Sequence, residues 1–125
     1  MDSVGELSGV ALDCPDPVVL AEFYSRLTGW SVVYTSPDWC SVGERPDSAF
    51  HLSFQRSPQY QPPTWPDPRS SMQAHLHIRV TDLDVAQREA VDLGATVFAE
   101  QSDPADFRVL ADPAGHVFCL VPVRP

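Results

Sequence analysis

Asp16 and Asp82 each stand where an alternating run of residues gives way to a helical one. Ahead of Asp82, the residues Leu76, Ile78 and Val80 alternate with His75, His77 and Arg79. A strand has a side-chain period of two, so one face is apolar and the other carries two imidazoles and a guanidinium. The aspartate that follows is of the type that caps a helix, its carboxylate accepting from first-turn N–H groups. Leu83, Ala86, Ala90 and Leu93 then recur at helical spacing, and Gly94 supplies the stop. The same order surrounds Asp16. Val10, Leu12 and Cys14 share a strand face, and Pro17 takes the first helical position, where a missing N–H costs nothing. Leu20, Phe23, Tyr24 and Leu27 then form a helix stripe that Gly29 ends.

Three β-rich segments follow each glycine. In the first half they are Trp30–Thr35, Trp39–Val42 and Phe50–Gln55, broken by Ser36-Pro37 and by a turn over Gly43–Asp47. In the second half they are Thr96–Ala99, Phe107–Ala111 and His116–Val121, separated by a polar loop and by the Asp112-Pro113-Ala114-Gly115 turn. Laying Asp16 on Asp82 brings Val10 onto Leu76, Leu12 onto Ile78 and Leu27 onto Leu93, with one extra residue before Gly29. The chain is therefore read as two copies of a βαβββ unit. A unit of about 60 residues buries too little surface to be secure alone, so two are expected to pair. Residues 57–73 hold five of the thirteen prolines and form a linker in which neither helix nor central strand can persist. Tyr60 and Trp65 within it are expected to pack over something. The expected fold class is α+β, one domain over residues 1–125, with module one at 6–56, the linker at 57–73 and module two at 74–125.

Composition removes several classes of function. No apolar run approaches the ~20 residues that span a bilayer, and MDSVGELSGV has no basic region of a secretory leader. Three scattered cysteines fit reduced thiols and a cytoplasmic protein. Eight basic against seventeen acidic residues give a formal charge of −9. Such a chain repels phosphate backbones, so nucleic acid is excluded as the expected partner, whereas a cationic small molecule would be attracted.

The segments DPVVLAEFYSRLTGW, HLHIRVTDLDVAQREAVDLGATV and FRVLADPAGHVFCLV make the chain resemble the glyoxalase/bleomycin-resistance/dioxygenase group, the vicinal oxygen chelate superfamily, in its glyoxalase-like branch. The Asp-Pro-x-Gly hairpin is the most specific of these signals, and the likeness runs over nearly the whole chain. It implies two modules pairing into a cupped, half-open, barrel-like mixed sheet with helices outside, often across a homodimer, and a site inside the cup. A cupin-like barrel would also accommodate an H-x-H strand, but two well-signalled helices at matching places fit it poorly.

In metal-dependent members of the group, four strand positions supply ligands. The match implies His75, His51 and Cys119 at three of them and Gly9, which ligates nothing, at the fourth. Two imidazoles and a thiolate suit a divalent ion such as zinc, nickel, iron or manganese. The opposing reading of Cys119 is a small buried hydrophobe. His77 lies about 6.6 Å along the strand from His75; it either replaces the lost ligand or hydrogen-bonds within the cup. Arg79 either holds a carboxylate or enolate of a ligand or pairs with Asp13. Trp39, Phe54 and Trp65 are expected to wall a ligand pocket together with His77 and Arg79. The favoured function is a protein that binds a small organic molecule. The alternative is a metal-dependent lyase or isomerase acting on a small oxygenated substrate, and a third reading is a structural module whose cup is filled by its own side chains.

Overall fold

The computed structural model describes residues 3–123, so the ends of the expected domain lie outside the described residues. The chain divides into two compact units, Met1–Tyr60 and Gln61–Pro125. In the first, β1 (Gly9–Cys14), α1 (Pro17–Thr28), β2 (Ser31–Thr35), β3 (Trp39–Gly43) and β4 (His51–Arg56) follow in order. In the second, β5 (Leu76–Val80), α2 (Leu83–Leu93), β6 (Thr96–Val97), β7 (Arg108–Ala111) and β8 (Val117–Pro122) repeat that order. The two sheets share one topology, β1-β4-β3-β2 and β5-β8-β7-β6, with the first pair parallel and the others antiparallel. The βαβββ repeat and the α+β class are thus seen directly. No helix among the described residues is long and apolar enough to cross a membrane.

Local chemistry accounts for the element ends. The Asp16 carboxylate accepts from the N–H groups of Val18 and Val19, and that of Asp82 from Val85 N–H at 3.1 Å. Gly29 and Gly94 close the two helices at φ 76° and 121°. In the first unit, Tyr24 of α1 stacks on Phe54 of β4 with centroids 5.5 Å apart, and Phe23 meets Tyr24 edge-on. In the second, Ala90 of α2 and Leu110, Phe118 and Leu120 of the sheet are fully buried. Arg108 secures α2 from the sheet, donating to Asp84 Oδ1 and Gln87 Oε1, both at 2.9 Å.

Two segments differ from the sequence reading. Thr96–Ala99 pairs as a strand only through Val97. Beyond it the Gln101 side chain takes the place of backbone: its amide nitrogen donates to the Val109 carbonyl and its oxygen accepts from Val109 N–H. The proline-rich segment belongs in part to the second unit, where Trp65 packs on Phe98 with centroids 4.9 Å apart and Met72 packs on the Val109, Val117 and Cys119 cluster. Pro62 approaches the β7–β8 turn so closely that a Cβ on Gly115, already at φ +88°, would lie 2.6 Å from the proline Cβ. Only glycine fits there.

Candidate functional site

Strand alternation and parallel register build the site in the second unit. In β5 the half-buried Leu76, Ile78 and Val80 alternate with the exposed His77 and Arg79. His77 lies in register with Cys119 of β8, and Arg79 with Val121. Residues paired in this way project to the same side of a sheet, so the thiol stands beside the imidazole. One ligand-capable atom from each of His75, His77 and Cys119 lies within 4.8 Å of the other two. The Nε2 atoms of His75 and His77 are 3.0 Å apart, one ring donating to the other.

The surroundings set the charge states. Cys119 is buried with Val109 and Val117 under the partly buried Trp65, Met72, Phe98 and Phe107. That burial pushes its thiol pKa up, so the free side chain stays protonated at neutral pH. Burial, and then the charge of His77, hold the His75 imidazole below its ordinary value. His75 is thereby kept neutral near pH 7, with a nitrogen lone pair available. The Arg79 side chain makes no ion pair or hydrogen bond among the described residues. With His77, Val121, Pro122 and Val123 it lines a groove of about 460 Å³.

The other expected site residues fall as follows. Trp65 is half-buried on Phe98 and forms part of the apolar cover over the Cys119 cluster. Trp39 is half-buried in β3, its indole N–H donating to Ser41 Oγ at 3.0 Å, and Ser41 Oγ in turn lies 2.8 Å from Ser53 Oγ. Phe54 is a correction. Its ring is fully buried and stacked beneath α1, on the helix side of the sheet, and is committed to the core of the first unit. His51 is half-buried in β4 of the first unit, in register with Gly9. Met72, Phe98 and Phe107 were missed as cover for the site; only the apolar character of these residues hinted at it.

The four-strand ligand set implied by the resemblance fits this chain poorly. Gly9 has no donor, and a Cβ built there would lie 2.4 Å from the His51 carbonyl oxygen, so the position is closed to any ligating side chain. The ligand types that the second unit brings together are instead two imidazoles and a thiol, His77 and Cys119 on adjacent strands of one sheet and His75 just before the first of them.

The sequence model described as Glyoxalase-like domain matches residues 9–121. No curated protein sequence shows a significant match. Among solved structures the chain is similar to a glyoxalase/bleomycin resistance protein/dioxygenase family enzyme from Burkholderia phytofirmans (TM-score 0.71, 20% identity, covering 96% of this chain and 100% of that one). It is also similar to the bleomycin resistance determinant encoded on transposon Tn5 (TM-score 0.58, 19% identity, 97% and 100% covered). A third is the bleomycin-binding protein of Streptomyces verticillus, solved with copper(II)-bleomycin (TM-score 0.57, 17% identity, 98% and 100% covered). At such identities the likeness carries the fold alone.

Proposed function

Since the chain belongs to the glyoxalase-like domain family of the vicinal oxygen chelate superfamily, we propose that it binds a small organic molecule bearing a carboxylate or enolate oxygen, held on the polar face of β5 and β8. The observation that carries this reading is Arg79, a guanidinium without an internal partner among the described residues, lining a groove of about 460 Å³ with His77. A free guanidinium beside an apolar wall of Val121, Pro122 and Val123 favours a ligand with one anionic end and an apolar body. The formal charge of −9 disfavours anions at long range, but short-range contact at Arg79 decides what stays bound. Binding is favoured over lyase or isomerase chemistry because the four-strand ligand set is broken at Gly9. The Streptomyces neighbour, named for binding bleomycin, is a precedent for a binding role on this fold.

The test is a thermal-shift screen, in the presence of a chelator, of small aromatic and aliphatic carboxylates against their neutral amides. A ligand at a hundred times its Kd adds roughly 2.7 kcal/mol of stability, a readily measured rise in melting temperature. Carboxylates should stabilise the wild type, amides should not, and Arg79→Gln should remove the effect. Equal stabilisation of Arg79→Gln, or none by any carboxylate, would overturn the reading.

A further inference from the structure

We propose that His75, His77 and Cys119 form a three-ligand site for a borderline-soft divalent cation of the zinc type, built wholly within the second module. The site does not depend on the organic-ligand reading, and it differs from the four-strand set because it uses no residue of the first module.

Three features of the structure support it. The first is geometric. Zinc–nitrogen bonds of about 2.0–2.1 Å and zinc–sulfur bonds of about 2.3 Å place tetrahedral ligand atoms roughly 3.3–3.6 Å apart. The two Nε2 atoms are 3.0 Å apart, and the three ligand atoms lie within 4.8 Å of one another. Closing the widest gap requires a shift of about 1 Å, which the exposed His75 and His77 side chains can supply by rotation about their side-chain bonds. The second is the backbone. His77 and Cys119 are held side by side by the parallel ladder between β5 and β8, so little order has to be created on binding.

The third is chemical. Two imidazoles with a thiolate, and no carboxylate among the three, select a borderline-soft ion over calcium or magnesium, which demand oxygen ligands. The Cys119 thiol must ionise to ligate, so binding releases one proton to solvent and leaves a sulfur–metal bond in place of S–H. The apolar cover of Trp65, Met72 and Phe98 makes a bare thiolate costly there. Metal neutralises that charge. Three protein ligands leave a fourth position for water or an anionic ligand.

The experiment is titration of the chelator-stripped full chain with cobalt(II), followed by displacement with zinc. Wild type should take up one equivalent of cobalt with a near-ultraviolet thiolate-to-cobalt charge-transfer band, which zinc abolishes. His77→Ala, an exposed substitution that leaves the core intact, should weaken binding by more than the roughly 10–100-fold that outer-sphere partners are worth. His51→Ala should leave the affinity unchanged, and Cys119→Ser should lose the thiolate band. Absence of the band in wild type, or full affinity in His77→Ala, would overturn the site. Loss of binding in His51→Ala would likewise overturn it, by placing a ligand in the first module. Circular dichroism of the metal-free variants separates lost ligation from lost folding.

Discussion

Replacing Asp112 with alanine tests how the β7–β8 hairpin, and with it the position of Cys119, is held. The Asp112 carboxylate is buried at 3% exposure. One of its oxygens accepts from Ala114 N–H at 2.9 Å and from His116 N–H at 3.0 Å. Around it the backbone closes the turn, with Asp112 N–H donating to the His116 carbonyl and Gly115 N–H to the Asp112 carbonyl. A hydrogen bond to a charged group contributes about 1.5–3 kcal/mol. Ala114 and His116 are half-buried, so water partly replaces the lost acceptor, and the lower figure applies to both bonds. The expected loss is therefore roughly 3 kcal/mol. For a chain of this size 1 kcal/mol shifts the melting temperature by about 4 °C, which gives a fall of about 12 °C. Asp112→Asn keeps a neutral acceptor and should lose about half as much. Melting followed by circular dichroism, with urea midpoints at constant slope, measures both. A loss under about 1 kcal/mol in Asp112→Ala would refute the reasoning, as would an Asp112→Asn variant equally damaged.

Other outcomes follow from single contacts. Gly9→Ala places a methyl 2.4 Å from the His51 carbonyl oxygen and should destabilise the first module by about 1–3 kcal/mol, through displacement of β1 from β4; an unchanged urea midpoint would contradict this. Asp82→Ala should cost about 1 kcal/mol by removing the cap on Val85 N–H, and Asp82→Ser should restore most of it. His75 is held below its ordinary pKa of 6.5, so the folded state resists a proton that the unfolded state accepts. Its stabilising effect is complete above the unfolded value and is lost as pH falls through the lower folded pKa. In chelator, urea midpoints should decline over that window, less so in His75→Gln, and a proton NMR titration should place His75 below its ordinary value of 6.5.

What was legible in the sequence was what is encoded locally. Asp16 and Asp82 mark helix starts because a capping carboxylate acts on N–H groups two or three residues away. The Asp112–Gly115 turn was legible for the same reason. The end of β6 was not, because it depends on the Gln101 side chain reaching Val109 and substituting for a strand edge. Phe54 was assigned to a pocket although its alternation with Ser53 and Gln55 already put it on the apolar face; the stack with Tyr24 shows that this face lies under the helix. The sequence left His77 between replacing a lost ligand and hydrogen-bonding within the cup, because its neighbour Cys119 lies on β8 and only the parallel register brings the two together.

That register also explains why the two copies of one plan have come to differ in chemistry. The positions of His75, just before β5, and of His77 and Arg79 within it correspond to Gly9, Ala11 and Asp13 in β1, and Cys119 beside His77 corresponds to Ser53 beside Ala11. In the first module Ser53 is paired with Ser41, which also receives the Trp39 indole N–H, so these buried polar atoms satisfy one another. Gly9 is packed against the His51 carbonyl and admits no side chain. In the second module the equivalent positions carry two mutually hydrogen-bonded imidazoles and a thiol under an apolar cover. Ser41 and Ser53 show how little is needed to satisfy that face without ligating groups; the second module places His77 beside Cys119 there instead, and the cobalt titration decides whether a cation joins them.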